Sequence, residues 1–336
     1  MLKILIVSAL TKPLQDEYYA PVERQVCGIA RGLRARGFDV SVVALRGSRL
    51  GDGVELVEVQ DGDEEGAYSS YKGRLREFDS ILDFSNLKYS YLFKHDEDRD
   101  LRLIGAVYPY QGQGYSAAPP VAFPCFVGTS DAHAQSLSLR FGVAARHVYY
   151  GTPVSEGLSQ RGDRMLYLGR LLKEKGPQIA IDVARQLRVG LDIIGEDSFI
   201  PDQGFPIQLL QRCDGRLVRA YGRVGESMKR ELLSKARCVL LPYLSDEVAY
   251  TCLPAIESLA HGVPVVALRR GCIAEVVKDG VNGFAVSRVD QLAEAVRRVD
   301  EIDPSKCLES AKQFSLENSV SGYERLIKFA VNDGGW

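Results

Sequence analysis

The stretch YLGRLLKEKGPQIAI, residues 167–181, joins a short apolar run to a segment with helical spacing through one polar turn. The turn carries Arg170 and Lys175, five residues apart, with Gly169 before the first and Gly176 after the second. An apolar run that passes through glycine into a helix is typical of one β–α unit of a parallel sheet. The two cations are then expected at the carboxyl end of the strand, where open α/β sheets bind ligands. Solvated charge at a turn is the alternative interpretation of this stretch taken alone.

Short apolar strands alternate with amphipathic segments through most of the chain. In the first half we predict strands at residues 2–8, 39–45, 54–59, 80–84, 103–107 and 126–129. In the second half we predict strands at residues 165–168, 191–194, 217–221, 238–241 and 263–267, and helices at residues 177–187, 226–236, 254–261 and 291–300. Such alternation indicates parallel sheets that are covered on both faces. The predicted fold class is α/β, with two facing, doubly wound Rossmann-like sheets and a cleft between them at the carboxyl ends of the strands.

The length of 336 residues exceeds what a single hydrophobic core usually supports, so two domains are expected. A polar segment rich in glycine, serine and proline, residues 151–164, separates the two halves and is the predicted hinge. We place the domains at residues 1–155 and 156–318, followed by a terminal helix at residues 319–336.

The composition excludes several classes of protein. A net charge of −2 with 26% charged residues describes a soluble globular protein and argues against a nucleic-acid partner held by bulk charge. No run approaches the roughly 18 uninterrupted apolar residues of a membrane span, although peripheral contact with a membrane stays open. The start MLKILIVSAL, residues 1–10, predicts a first strand rather than a signal peptide.

The cysteines and histidines show no metal-binding spacing. The seven cysteines are Cys27, Cys125, Cys213, Cys238, Cys252, Cys272 and Cys307. Their number is odd, no CxxC occurs, and most lie in apolar runs, as small core residues do. The scattered histidines are His95, His133, His147 and His261. We therefore predict no metal site, and the cysteine usage suits a reducing, cytoplasmic environment.

Three segments of the second half lie at a strand exit or a helix start. They are residues 169–176, residues 251–267 and residues 269–284. In a doubly wound sheet the three segments converge on one edge. Free N–H groups at the helix starts, together with the charges of Arg170 and Lys175, would there bind a diphosphate.

Other residues have a second interpretation beside the functional one. Glu257 is placed to accept hydrogen bonds from ribose hydroxyls, or it is a carboxylate on a helix surface. Tyr108 and Tyr110 belong to a loop rich in tyrosine, glycine and proline, which is either a surface loop or an acceptor-facing wall, because aromatic rings stack on sugar faces. The absence of GxGxxG after the first strand and of GxxxxGK[ST] lowers the odds of a dinucleotide dehydrogenase or a P-loop NTPase.

Several stretches resemble the retaining glycosyltransferases of family 4, group 1. They are YLGRLLKEKGPQIAIDVARQL (167–187), LDIIGE (191–196), YGRVGESMKRELLSKARCVLLP (221–242) and the segment 257–284. The first half resembles the family more weakly but in the same order. FSLENSVSGYERLI (314–327) is similar to the closing helix of the family, which crosses back to the first domain. The resemblance implies the GT-B fold.

The resemblance also implies a function and the residues that perform it. A hexosyltransferase of this kind moves a sugar from a nucleotide diphosphate sugar, most commonly a UDP-sugar, retains the anomeric configuration, and needs neither metal nor cofactor. Arg170 and Lys175 neutralise the leaving diphosphate. The implied donor-binding residues are Gly169, Cys252, Leu253, Glu257, Gly271, Cys272 and Ile273. The acceptor (a saccharide, a lipid-linked or a small molecule) faces Tyr108 and Tyr110.

The sequence departs from the family pattern at three places. The family carries two glutamates with seven residues between them, but counting back from Glu257 leads to Ala249. The nearest acid is Glu247, and we assign it the missing role on the expectation that a loop longer by two residues returns it to the sugar. Ala20–Pro21 and Cys272 replace family glycines. Two alternatives stay open: a non-catalytic nucleotide-sugar-binding homologue or partner subunit, and a GT-B epimerase or phosphorylase.

Overall fold

The computed structural model describes residues 1–15, 21–51, 53–60, 63–107, 126–158, 160–195 and 204–332. The chain divides into two compact units. The first comprises Met1–Gly151 together with Leu316–Trp336, and the second comprises Thr152–Ser315. The domain boundaries predicted from the sequence lie after residues 155 and 318, and the boundaries of the two units lie after Gly151 and Ser315. Within the described residues, no helix is both long enough and apolar enough to cross a membrane.

The first unit is built on a parallel sheet of seven strands. In chain order they are β1 (Lys3–Val7), β2 (Asp39–Leu45), β3 (Glu55–Val59), β4 (Ser80–Asp83), β5 (Leu103–Ala106), β6 (Phe126–Gly128) and β7 (Arg146–His147). They lie side by side in the order β3-β2-β1-β4-β5-β6-β7. Because the order reverses between β1 and β4, helices cover both faces of the sheet.

The second unit has a parallel sheet of six strands. They are β8 (Arg164–Leu168), β9 (Leu191–Ile194), β10 (Val218–Gly222), β11 (Ala236–Leu241), β12 (Val265–Leu268) and β13 (Gly283–Val286). Their order is β10-β9-β8-β11-β12-β13. The sequence analysis did not predict β7 or β13. Both lie at the edge of a sheet, and β7, with two residues, is too short to show the alternation that identifies a strand.

The α-helices of the described residues complete the layers. They are α1 (Pro21–Ala35), α2 (Glu64–Tyr71), α3 (Ser90–Asp96), α4 (Asp131–Phe141), α5 (Pro177–Leu187), α6 (Gly204–Gln211), α7 (Glu226–Ser234), α8 (Leu253–Ala260), α9 (Ile273–Val276), α10 (Leu292–Arg297), α11 (Pro304–Ala311) and α12 (Leu316–Asn332).

Helix α12 packs against α1 in the first unit, although it follows the second unit in the chain. The two helices approach closely at glycines of α1. A Cβ atom at Gly28 would lie 2.5 Å from Leu316 Cδ1, and one at Gly32 would lie 2.5 Å from Val320 Cγ2. Side chains at these positions would push the helices apart, so the small residues determine how closely α12 binds the first unit.

Candidate functional site

Three loops leave the carboxyl ends of the neighbouring strands β8, β11 and β12, and hydrogen bonds join them. The Leu244 N–H donates to the carbonyl oxygen of Glu174 over 2.7 Å, which connects the loop after β11 to the loop after β8. The Gly271 N–H donates to the Asp246 carboxylate over 2.7 Å, which connects the loop after β12 to the loop after β11. The structure therefore brings together the three segments that the sequence analysis placed at one sheet edge.

The turn after β8 is held in one conformation by its own contacts. The Tyr167 hydroxyl donates to the carbonyl oxygen of Arg170 over 2.8 Å. Gly176 has φ of 73°, and a Cβ atom there would lie 2.1 Å from the carbonyl oxygen of Pro242. Glycine is thus needed at this position both for the left-handed backbone and for the close approach of the next loop. The turn that these contacts shape carries Arg170 and Lys175.

The Lys175 ammonium has an unusual environment. Its Nζ donates to the Val248 carbonyl oxygen over 3.2 Å and lies 4.9 Å from the ring centroid of Tyr243. Burial, and then the positive charge of Arg170, lower the pKa of Lys175 to about 8. In the part of the chain that the structure describes, no carboxylate pairs with this ammonium. An ammonium that is partly withdrawn from water, next to a second positive charge and without a carboxylate partner of its own, favours an anionic ligand.

Glu257 lies inside the protein and not on a helix surface, so that alternative is wrong. The residue is 2% exposed, and its Oε1 accepts a hydrogen bond from the Lys229 Nζ over 2.7 Å. Lys229 is itself buried and also pairs with Glu226 at 2.9 Å. Helix α8 is buried because it packs between the sheet and α11. That Glu257 accepts hydrogen bonds from ribose hydroxyls stays a prediction.

Sequence reasoning missed Lys229 and Tyr243 as parts of this site. Lys229 lies on α7 among charged residues that look like a solvated helix face, so nothing in the sequence distinguishes it. Tyr243 follows β11 directly. Its position at a strand exit was a usable signal, because parallel sheets collect functional side chains at that edge.

Glu247 and Ala249 lie in a short 3-10 turn, Glu247–Ala249. Ala249 is buried, whereas Glu247 is exposed, and among the described residues its carboxylate makes no hydrogen bond or ion pair. The neighbouring Asp246 is the acid that contacts the loop after β12, through the Gly271 N–H. The structure therefore does not bring Glu247 to the cation pair, and its catalytic role stays a prediction.

Gly271 allows the loops after β11 and β12 to touch. Its φ is 47°, and a Cβ atom there would lie 2.6 Å from the Asp246 carbonyl oxygen and 2.9 Å from the Ala249 carbonyl carbon. The next residue, Cys272, donates its N–H to the Ala249 carbonyl oxygen over 3.1 Å. Ile273 then begins α9 and is buried. These predicted donor-binding residues therefore lie directly against the loop that leads into α8.

Cys252 and Cys272 are joined by a disulfide. The expectation that the cysteines are separate core residues is wrong for this pair, although both are buried. The two positions are 20 residues apart with no recognisable motif, so only the packing of two loops reveals the bond. The other described cysteines, Cys27, Cys213, Cys238 and Cys307, form no disulfide.

The start of α8 carries two of the predicted donor-binding residues, Cys252 and Leu253. Cys252 precedes the helix with φ of 44°, and no side chain caps this end. Leu253, the first helical residue, is buried, so any ligand here meets backbone rather than side chain. The remaining predicted residues, Tyr108 and Tyr110, lie outside the described residues. No group of three or more histidine, cysteine, aspartate or glutamate side chains in the described part of the chain is arranged to hold a metal ion.

The second unit is similar to known proteins. Residues 162–301 match the family model of the group 1 glycosyl transferases. The chain is 26% identical over 265 residues to D-inositol 3-phosphate glycosyltransferase 1 of Catenulispora acidiphila. The aligned residues make up 68% of the chain and 63% of that relative. The chain is also 25% identical over 199 residues to an uncharacterized glycosyltransferase of Methanocaldococcus jannaschii. These residues make up 54% of the chain and 53% of that relative. The chain thus spans between half and two thirds of the length of these relatives.

A solved structure confirms the predicted GT-B fold. HepE of Anabaena, in complex with UDP-glucose, matches with a TM-score of 0.74 at 16% identity, over 98% of this chain and all of that chain. Two parallel-sheet α/β units are the architecture that the sequence predicted.

Proposed function

We propose that the protein is a retaining glycosyltransferase that moves a sugar from a nucleotide diphosphate sugar to an acceptor hydroxyl without a bound metal ion. The observation that supports this most is the cation pair of Arg170 and Lys175 at the exit of β8, inside a group 1 glycosyltransferase domain. A UDP-sugar is the proposed donor, because HepE, which shares the fold, binds UDP-glucose. The acceptor is a saccharide, a lipid-linked or a small molecule in the cytoplasm.

The two cations act on the leaving group. When the bond between the anomeric carbon and the diphosphate breaks, the phosphate oxygen gains negative charge. Lys175 is partly withdrawn from water, so its attraction to this charge is stronger than in bulk solvent, and Arg170 adds a planar fork of donors. Because the charge is larger in the transition state than in the bound donor, the pair lowers the barrier and does not merely tighten binding.

The remaining residues hold the donor. Glu257, positioned by Lys229, accepts hydrogen bonds from the ribose. Backbone groups contact the phosphates and the sugar, at Gly169, Cys252, Leu253, Gly271, Cys272 and Ile273. Glu247 contacts the sugar after a local movement of its turn, and Tyr108 and Tyr110 face the acceptor.

A donor panel tests the proposal. The protein is incubated with UDP-, GDP- and ADP-sugars and with saccharide and lipid-linked acceptors, while release of nucleoside diphosphate is followed and the product anomer is read by NMR. We expect UDP release and a product with the configuration of the donor. Lys175→Ala should abolish most of the release, whereas Lys173→Ala, an exposed lysine of the same turn, should retain it. A product of opposite configuration would contradict retention, and a protein that neither binds nor consumes any donor would contradict the function.

A non-catalytic nucleotide-sugar-binding protein is the second candidate, and the exposed Glu247 beside a buried Ala249 favours it. If the protein is an enzyme, Glu247→Gln should lower turnover at least about tenfold, which is about 1.4 kcal/mol of barrier. Nucleotide affinity should stay within about a factor of three, and Glu174→Gln, an exposed control in the adjoining loop, should change neither quantity. Nucleotide binding without turnover on any donor would favour the second candidate, and a changed sugar on the nucleotide would indicate an epimerase.

A further inference from the structure

A disulfide cross-links the two loops that carry most of the predicted donor-binding residues. Cys252 stands directly before α8, Cys272 stands directly before α9, and the bond closes a segment with a sequence separation of 20. On one side the bond adjoins Leu253, and on the other it adjoins Gly271 and Ile273. Any ligand that touches both helix starts must therefore bind a pair of loops whose spacing the two sulfurs control.

Polar contacts hold the same two loops whether or not the sulfurs are bonded. The Gly271 N–H donates to the Asp246 carboxylate, and the Cys272 N–H donates to the Ala249 carbonyl oxygen. The Cys252 Sγ also lies 2.9 Å from that Ala249 oxygen, an acceptor to which a reduced thiol can donate. Both the disulfide and the dithiol form thus have partners at this position, and reduction does not require the loops to unfold.

We propose that Cys252 and Cys272 form a reversible thiol–disulfide modification site that controls the affinity for the nucleotide diphosphate donor. This inference rests on the proposed function. The co-reactant is a low-molecular-weight thiol, and the corresponding small disulfide drives the reverse reaction. The other described cysteines, Cys27, Cys213, Cys238 and Cys307, take no part in this disulfide.

The exchange proceeds in two steps. A small thiolate attacks one sulfur of the pair and forms a mixed disulfide, and the other cysteine leaves as a thiolate that takes up a proton. A second small thiolate attacks the mixed disulfide and releases the first cysteine, which is also protonated. One S–S bond of the protein is replaced by one S–S bond between the small molecules, and two electrons pass to the cysteine pair.

The disulfide form is the form with the higher donor affinity. A donor must order both loops at once, and a covalent link between them removes part of that entropic cost before the donor arrives. Cys252 also has a left-handed backbone, with φ of 44°, which residues other than glycine rarely adopt. The cross-link helps to hold this conformation, and reduction allows it to relax. We expect reduction to weaken UDP binding about three- to tenfold.

The exposed turn that leads to Cys252 controls the access of the small thiol to the two sulfurs. Both cysteines are buried, whereas Asp246 and Glu247 in the turn leading to Cys252 are exposed. Exchange therefore needs a local opening of this turn. Because a bound nucleotide contacts the loops that must open, saturating UDP should slow the reduction of the disulfide.

Peptide mapping and calorimetry on the full chain test the inference together. After treatment with oxidised glutathione, trypsin should yield residues 238–269 linked to residues 271–278, and dithiothreitol should separate them. The Cys238→Ser variant assigns the link to Cys252, since both cysteines lie in the first peptide. The dissociation constant for UDP is then measured in both redox states.

Serine variants supply the controls. Cys252→Ser and Cys272→Ser should bind UDP as the reduced protein does, with no response to redox state, while circular dichroism checks that they fold. Cys213→Ser, whose thiol is free and half-buried, should respond like the natural chain. Absence of the linked peptides after oxidation overturns the modification site, and equal UDP affinity in both redox states overturns its control of binding. If no nucleotide binds in either state, the proposed function has failed as well, and the peptide map still reports on the disulfide.

Discussion

Two lysines, one at the carboxyl edge of each sheet, have opposite surroundings. Lys88, after β4, donates to the Asp83 carbonyl oxygen over 3.0 Å, and its Nζ lies 3.9 Å from the carboxylate of the same residue. Lys175, after β8, donates to the Val248 carbonyl oxygen, and the positive charge of Arg170 acts on it. Burial lowers the pKa of both lysines, but Asp83 and Glu64 oppose this shift at Lys88, whereas Arg170 adds to it at Lys175.

The difference separates a structural cation from a ligand-binding one. A buried charge is costly unless an opposite charge or hydrogen bonds compensate it. Carboxylates of the same unit compensate the charge of Lys88. This lysine therefore stabilises the fold, and its charge is already paired and does not need a ligand. Among the described residues no carboxylate compensates Lys175, and the positive charge of Arg170 adds to the cost of its charge, so a bound anion would stabilise this ammonium.

The largest expected effect follows from removing the structural cation. Lys88→Met leaves the buried Asp83 without its ammonium partner, and we expect a loss of about 3–5 kcal/mol in the free energy of unfolding. Urea unfolding followed by circular dichroism measures this, and UDP affinity of the folded variant should not change. The exposed Lys72→Met serves as control and should cost less than about 0.5 kcal/mol. Equal stability of the two variants would remove the distinction between the lysines.

Removing Lys175 should have the opposite effects: weaker nucleotide binding and unchanged stability. Lys175→Ala deletes a charge-assisted contact, so the affinity for the cognate nucleoside diphosphate should fall by about 2 kcal/mol or more. The free energy of unfolding should hardly change, since in the described residues no carboxylate depends on this ammonium. Calorimetry with UDP measures the first quantity and urea unfolding the second. Unchanged affinity would show that Lys175 does not contact the diphosphate.

Nucleotide binding should depend on pH through Lys175. Below the pKa of about 8 the free protein carries a charged amine, and UDP affinity should be constant. Above it the amine is neutral and must take up a proton to bind, so affinity should fall by up to about tenfold per pH unit. Titrations between about pH 7 and 9 measure this, with Lys175→Arg as control, because a guanidinium stays charged there. An equal decline in that variant would assign the effect to another group.

The smallest expected effect concerns the ring beneath the ammonium. Tyr243→Leu removes a cation–π contact worth about 0.5–1 kcal/mol, so UDP affinity should fall a few-fold and the pH profile should move to lower pH. Tyr243→Phe keeps the ring and should preserve both. Its phenol oxygen is buried without a hydrogen-bond partner among the described residues, so nothing is lost with it. A Phe variant that resembles the Leu variant would show that the hydroxyl, not the ring, is used.

The sequence by itself predicted the elements that rest on local pattern. Strands Asp39–Leu45 and Leu191–Ile194 and helix Pro177–Leu187 begin and end at the predicted residues. Alternation in a strand and helical spacing in an amphipathic segment are properties of neighbouring residues, so they can be recognised without the fold. The position of Arg170 and Lys175 after the end of a strand was recognised from local pattern in the same way.

Only the tertiary structure decided which side chains meet. From the sequence, a place on a helix surface was the alternative for Glu257, but the packing of α8 buries it against Lys229, 28 residues away. Cys252 and Cys272 were two of seven scattered cysteines, until the order of β11 and β12 placed their loops in contact. These pairings depend on which strands become neighbours and which helix covers them. Strand order and helix packing depend on residues throughout the chain, so the residues that flank each member of a pair do not reveal its partner.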